Sequence, residues 1–201
     1  MLPSKAGAVY DQTTHTLTLS GASNTTMLMA SIVVFNSQDV VLVVMSGPGG
    51  LTRVGYAIGH MIQLEGATAL VPEGDKCISA CALAFLGSPR PILEGELWLH
   101  ASYIEAVPIL ASLYDVFMVG GRGAIDAVRY YSSIGYGLGF TAYLNDKTTP
   151  QVFLVVTDMT KLLEYKVDPQ TATLADLTKP FNVILKSVDL TNFYLPQRRG
   201  L

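Results

Sequence analysis

The stretch "VVLVVMSGPGG", residues 40–50, decides the fold class. Its first six residues form a continuous apolar run rich in valine, which is typical of a strand buried on both faces of a sheet. The "SGPGG" that follows combines three glycines with a proline, so we predict that it is a loop and neither helix nor strand. Burial on both faces favours a parallel sheet.

Strand patterns alternate with helix patterns on both sides of this stretch. The strand patterns are residues 15–21 ("HTLTLSG"), 67–71 ("ATALV") and 96–100 ("ELWLH"). The helix patterns are residues 24–36, with Thr25 or Thr26 near the cap, residues 52–65, and a run of small apolar residues that begins near Ser79. This order of strand, loop and helix predicts an α/β fold with a mostly parallel sheet.

The pattern loosens after His100. Residues 101–123 contain the flexible "VGGRG", and residues 124–144 are predicted to form one long helix. Its "GYGLGF" follows no strand, so we interpret the glycines as close helix packing or a kink and not as a dinucleotide loop. Residues 150–168 suggest another helix and turn, and "FNVILKSV" a late strand. We therefore predict a single domain over residues 1–201, with its core in about 15–104 and a projecting helical and C-terminal part in about 105–201.

Composition narrows the class of partner. Half of the 201 residues are apolar and 14% are charged, which suggests that other copies of the chain cover part of the surface. A net charge of −3 without a basic cluster argues against nucleic acid. We expect no transmembrane segment, no metal site and no cofactor. We also find no signal-peptide pattern, so we expect a cytoplasmic protein, or a periplasmic one if the N-terminus is truncated.

The two cysteines, Cys77 and Cys81, are too few for a disulfide framework. One interpretation is that they are two small buried residues that pack beside a crowded site, as free cysteines commonly do. The other is a disulfide, which requires Cys77 to lie before the helix that contains Cys81.

A serine lies between these cysteines, in "DKCISACALAFLG", residues 75–87. Ser79 would stand near the first turn of a helix, where an ordinary N-cap hydroxyl is one interpretation. The other is a nucleophile, because His100 ends a strand and imidazole is the usual base for serine catalysis. Ser79, His100 and "SGPGG" all lie at the C-terminal ends of predicted strands, where α/β sheets bind their ligands.

Four segments in this order resemble the Clp protease proteolytic-subunit family, within the ClpP/crotonase-like fold. They are "LTLSG", "VVLVVMSGPGG", "GDKCISACALAFLGSPR" and "ELWLHAS". The likeness is greatest to the predicted periplasmic ClpP-like branch. It covers residues 15–104 well and residues 124–168 loosely, and the usual Asn/Ser-Pro-Gly-Gly of the family is replaced here by "SGPGG".

The resemblance implies a Ser-His-Asp peptidase built from repeated ββα units. Ser79 would attack a carbonyl group and His100 would take its proton. The backbone N–H groups of Gly50 and Ala80 would bind the oxyanion, with help from the dipole of the helix that starts there. The cysteines would be packing residues around this site.

The third member of the triad is implied to be Asp158, in "VVTDMTKLLEYKVD". Asp146 and Asp168 are its rivals, and Lys166 stands where the family has glycine. The resemblance also implies peptide or protein substrates and a homo-oligomeric ring. No feature of the chain indicates an ATPase-docking surface, so no ATPase partner is predicted.

Three other functions remain open on the sequence. The first is a non-catalytic ClpP-like assembly or scaffold protein, which would be favoured if no carboxylate reached His100. The second is a crotonase-type acyl-CoA enzyme, against which stands the lack of a suitably placed acidic base in place of the serine. The third is a phage-encoded ClpP-like processing protease, which has the same chemistry in another setting.

Overall fold

The computed structural model describes residues 7–100, 125–148 and 152–166. The strands in these ranges are β1 Gly7–Asp11, β2 Thr16–Ser23, β3 Leu42–Gly50, β4 Thr68–Val71, β5 Lys76–Ile78, β6 Ile92–Leu93, β7 Glu96–Leu99 and β8 Leu154–Val156. The helices are α1 Thr25–Ser37, α2 Thr52–Leu64, α3 Ala80–Leu86, the helical residues 125–133 (α4), α5 Leu138–Lys147 and α6 Thr160–Leu163.

Strand β3 is the centre of the sheet. Its first half pairs with β2 on one side and β4 on the other, and Gly47 in its second half pairs with Cys77 of β5. The sheet then continues through β7 to β8, while β6 extends it beyond β4. Only β1–β2 and β7–β8 are antiparallel among the described strand pairs. The prediction of an α/β fold with a mostly parallel sheet is therefore confirmed.

The "SGPGG" segment is part of β3, so the prediction that it is a loop was wrong. It stays paired with β2, with a local irregularity before Gly49 and Gly50, which lie opposite Ala22 and Ser23. Gly47 and Gly49 have positive φ angles of +147° and +87°. A Cβ atom at Gly47 would collide with the backbone of Gly21 on the neighbouring strand. Glycine thus lets two backbones run close together where other residues would force the strands apart.

Helix α2 confirms the helix predicted over residues 52–65. Its buried apolar side chains include Val54, Ile58 and Ile62, which recur every four residues along one face. Gly55 and Gly59 interrupt this face, and a Cβ atom at Gly55 would collide with the carbonyl oxygen of Ala80. Helix α2 can therefore press against the start of α3, whose seven residues are all buried.

The structure adds a helix cap and short strands that the sequence pattern does not indicate. Helix α1 is capped by Asn24, whose Oδ1 accepts from the N–H of Met27 at 3.0 Å, and not by Thr25 or Thr26. Strands β5 and β6 were missed, because segments of two or three residues carry no readable period. They exist because neighbouring strands supply their hydrogen bonds.

The C-terminal predictions need two corrections. The long helix predicted over residues 124–144 is divided into α4 and α5 at Gly135, whose φ of +85° cannot continue a helix, which supports the kink interpretation of "GYGLGF". Residues 150–168, predicted as helix and turn, contain β8 before α6. The predictions for residues 101–123 and for the late strand "FNVILKSV" lie outside the described residues. The single-domain boundaries stay a prediction.

Candidate active site

Ser79 occupies a sharp turn between the end of β5 and the start of α3. Its backbone has φ +55° and ψ −118°, a left-handed conformation that costs a non-glycine residue about 1–3 kcal/mol. Two hydrogen bonds of 2.9 Å hold this turn: the Ser79 N–H donates to the carbonyl of Trp98, and the Ser79 carbonyl accepts from the N–H of Leu83. Such strain is concentrated at functional sites in proteins.

The Ser79 hydroxyl points to a histidine and not to the helix. Its Oγ lies 2.7 Å from Nε2 of His100, while the side chain makes no capping hydrogen bond to α3. The N-cap interpretation is therefore wrong. Both side chains are half-buried, so a substrate can approach them. The distance is that of a hydroxyl within reach of a general base.

His100 is held against an aromatic side chain that directly precedes β8. The ring centroids of His100 and Phe153 are 4.7 Å apart, and Trp98 contacts the same Phe153 at 5.6 Å. The pairing of Leu99 with Leu154 puts Phe153 in the next register position, opposite His100. Packing between the two strands thus restricts where the imidazole ring can turn.

The glycines at the end of β3 lie against the Ser79 turn. A Cβ atom at Gly49 would be 2.5 Å from the carbonyl oxygen of Ile78, 2.7 Å from Cβ of Ser79 and 3.0 Å from the backbone nitrogen of Ala80. Gly49 is buried, and the next residue, Gly50, is exposed. Ala80 is the first residue of α3, where backbone N–H groups have no acceptor within the helix. Ala80, one of the two predicted oxyanion donors, therefore directly follows the nucleophile, and Gly49, which precedes the other donor, packs against it.

Asp158 is engaged elsewhere. Its Oδ1 accepts hydrogen bonds from the N–H of Thr160 at 2.9 Å and from the Thr160 hydroxyl at 2.7 Å, and these bonds lower the pKa of the carboxyl group. Asp158 follows β8 at the end that pairs with the start of β7, whereas His100 follows the end of β7. The structure does not bring Asp158 to His100, because the Asp158 carboxylate binds the first turn of α6.

Of the two rival carboxylates, the structure describes only Asp146. Asp146 forms an exposed ion pair with its neighbour Lys147, at 2.9 Å between Oδ2 and Nζ. Asp168 lies outside the described residues. Phe153, which sequence reasoning missed, occupies the position opposite His100. Only the antiparallel register of β7 and β8 identifies this position.

Cys77 and Cys81 form a disulfide across Ser79. Cys77 lies in β5 and Cys81 in the first turn of α3, with their Cα atoms 5.2 Å apart. Both cysteines are buried, as expected, but as a disulfide and not as two free packing residues. The disulfide requires Cys77 to lie before the helix that contains Cys81. Cys77 does so because it lies in β5, a strand that the sequence pattern did not predict.

A polar cluster continues the outward face of β7 away from His100. The indole N–H of Trp98 donates to Glu96 Oε2 at 2.7 Å, and Lys76 Nζ lies 3.2 Å from the same oxygen and 4.6 Å from the indole centroid. The Trp98 hydrogen bond, followed by that of Lys76, lowers the pKa of Glu96. These contacts fix β5 and β7 beside each other just before the site.

Residues 7–100, 125–148 and 152–166 contain no cluster of three or more histidine, cysteine or carboxylate side chains placed to hold a metal ion. None of the helices in these ranges is both long and apolar enough to cross a bilayer.

Comparison with known proteins supports the architecture. No protein-family model and no curated protein sequence matches the chain. Among solved structures, a ClpP1 point mutant from Listeria monocytogenes matches with a TM-score of 0.54, over 77% of this chain and 88% of the ClpP1 chain, at 14% sequence identity. At this identity the likeness is one of fold alone. Together with the mostly parallel sheet, it shows that the chain has a ClpP-like fold.

Proposed function

We propose that the chain is a serine peptidase in which Ser79 is the nucleophile and His100 its general base. The observation that carries the proposal is the 2.7 Å distance between Ser79 Oγ and His100 Nε2. The strained backbone of Ser79 supports it, because a helix cap would need neither the left-handed φ nor the histidine.

The proposed reaction is acyl transfer to Ser79 followed by hydrolysis. Ser79 Oγ bonds to the peptide carbonyl carbon while His100 Nε2 takes the hydroxyl proton. The N–H groups of Gly50 and Ala80 bind the resulting oxyanion. His100 then gives its proton to the departing amine as the C–N bond breaks. His100 then deprotonates a water molecule, whose oxygen bonds to the acyl carbon. The bond between that carbon and Ser79 Oγ breaks, and His100 returns its proton to Oγ, which releases the acid product and restores the hydroxyl.

Asp158 has no direct part in this proposal, because its carboxylate binds Thr160. The His100 ring is oriented in part by its packing against Phe153.

The substrate class is tested with a peptide library whose cleavage products are identified by mass spectrometry. The wild type is compared with Ser79→Ala, with His100→Ala and with His60→Ala. His60 is a histidine on α2, so its variant controls for non-specific effects of losing a histidine. We expect new peptide termini with the wild type and His60→Ala, and none with Ser79→Ala. Equal cleavage by Ser79→Ala, or no cleavage by an assembled wild type, would contradict the proposal.

A second candidate is a non-catalytic ClpP-like assembly protein. It is favoured by one observation, the engagement of Asp158 by Thr160 away from His100. Self-association is part of both candidates, because the chain is rich in apolar residues and exposes several of them, including Met29 and Val33 on α1. The two candidates differ in whether Ser79 reacts.

A further inference from the structure

The disulfide between Cys77 and Cys81 encloses the reactive turn. We propose that it is a positioning element that holds Ser79 in its left-handed conformation, and so keeps the hydroxyl aimed at His100. The inference deepens the proposed function and rests on it. It assigns Cys77 and Cys81 a role beyond packing, although neither of them is placed in contact with substrate.

The disulfide adds a covalent restraint to a turn that is otherwise held by hydrogen bonds and packing. Strand β5 has three residues, which pair along their length with β7, and Cys77 also pairs with Gly47 of β3. Beyond Cys77, the Ser79 backbone is held by the hydrogen bonds to Trp98 and Leu83. An unfavourable φ persists only where its surroundings determine it strongly. A covalent link across the turn is such a determinant.

The disulfide joins the two elements that must not move apart. Cys77 is fully buried in β5, and Cys81 is 4% exposed in α3. Between them lie Ser79 and Ala80, whose hydroxyl and N–H are the proposed nucleophile and oxyanion donor. Separation of β5 from α3 would displace both groups at once.

The alternative explanation is that the disulfide only stabilises the fold. Disulfides stabilise a fold mainly by restricting the unfolded chain, and the effect decreases as the closed loop becomes shorter. The loop here contains only the residues from Cys77 to Cys81, so its effect on the unfolded chain is small for a disulfide. The position of this loop around Ser79 therefore favours a local role.

The test compares the wild type with Cys77→Ala/Cys81→Ala. Ile62→Val is the control, because Ile62 is fully buried in α2 and its loss of a methyl group weakens the core away from the turn. Intact mass confirms the disulfide in the wild type. The maximal rate constant and half-saturation concentration for acylation by a fluorophosphonate are then measured at a temperature where every variant is folded. Amide hydrogen exchange is followed at Ser79, Leu83 and Ile62.

We expect the double variant to lose roughly tenfold or more in the maximal acylation rate, with an unchanged half-saturation concentration. The amides of Ser79 and Leu83 should exchange faster by a similar factor, and the amide of Ile62 should not. Ile62→Val should keep the wild-type rate. An acylation rate within about twofold of wild type, or equal losses in both variants, would overturn the proposal.

Two other outcomes are possible: a wild type that does not react, and a double variant that does not fold. If the wild type itself is not acylated, the proposed function fails, and the exchange of the Ser79 and Leu83 amides alone decides whether the disulfide holds the turn. If the double variant does not fold, folded wild type is reduced with dithiothreitol, which supplies two electrons and two protons to the cysteines and becomes a cyclic disulfide. Unchanged acylation and exchange after confirmed reduction would then overturn the proposal.

Discussion

Replacement of Gly49 by alanine tests the contact between the β3 glycines and the Ser79 turn. The φ of Gly49 is +87°, and a left-handed conformation costs an alanine about 1–2 kcal/mol. The new Cβ would also lie 2.7 Å from Cβ of Ser79 and 2.5 Å from the carbonyl oxygen of Ile78, which is backbone and cannot rotate away. Overpacking of this kind costs about 1–3 kcal/mol. The expected loss in the free energy of unfolding is therefore about 2–5 kcal/mol.

Gly74→Ala is the matched control for backbone strain. The φ of Gly74 is +79°, close to that of Gly49, but a Cβ atom there would have no neighbour within 4 Å. This variant should lose only the conformational part, about 1–2 kcal/mol. The difference between the two variants isolates the contact with the Ser79 turn.

Urea unfolding of both variants measures these losses, and fluorophosphonate acylation of the folded proteins measures the reactivity of Ser79. Gly49→Ala should be the less stable variant and should be acylated more slowly, because Ser79 or Ala80 must shift to make room. Gly74→Ala should be acylated at the wild-type rate. Equal stability losses with equal acylation rates would refute the packing of Gly49 against the turn.

Three further outcomes follow from the same geometry. Ser79→Gly should be more stable than Ser79→Ala by about 1 kcal/mol in urea unfolding, because glycine relieves the left-handed strain. Helix propensity alone would give the opposite order, and that result would contradict the strained turn. Tyr130→Phe should lose about 0.5–1.5 kcal/mol at pH 7, because the Tyr130 hydroxyl donates to the carbonyl of Leu83 in the core. Burial raises the pKa of Tyr130 above the ordinary 10.0, so this residue contributes stability below pH 10 that is lost as the pH rises further. The free energy of unfolding should therefore fall less steeply at alkaline pH in Tyr130→Phe than in the wild type. Asp158→Asn should be acylated at the wild-type rate, and a large loss of acylation would restore Asp158 to the mechanism. Its loss of stability relative to the wild type should become smaller in acid. The hydrogen bonds from Thr160 lower the pKa of Asp158 below 3.8, so the stability that they contribute is lost as the pH falls through the lowered value.

The sequence predicts the parts of the fold that follow from regular hydrophobic patterns. Helix α2 was predicted within one residue of its observed end, and β3, β4 and β7 follow from their apolar runs. The loop prediction for "SGPGG" failed because glycine and proline usually interrupt strands. Here the parallel register with β2 continues past an irregularity. Register is a property of two strands together and cannot be read from one of them.

The candidate site, like the fold, was predicted from the sequence only in part. Ser79 and His100 are each marked by their position at a strand end, and the structure brings them together. Asp158 has the right residue type, but the antiparallel pairing of β7 with β8 sets Phe153 opposite His100. The disulfide depended on β5, which is too short to show a period. Long-range pairing therefore decides what the sequence leaves open.

Intact-mass analysis after treatment with a fluorophosphonate tests the central claim, that Ser79 is a nucleophile activated by His100, most directly. The assembled wild type is compared with Ser79→Ala, with His100→Ala and with the control His60→Ala. We predict one adduct on the wild type and on His60→Ala, none on Ser79→Ala, and acylation slowed by about 100-fold or more in His100→Ala, the usual contribution of a general base. The absence of an adduct on the folded wild type, or an adduct that survives Ser79→Ala, would contradict the account.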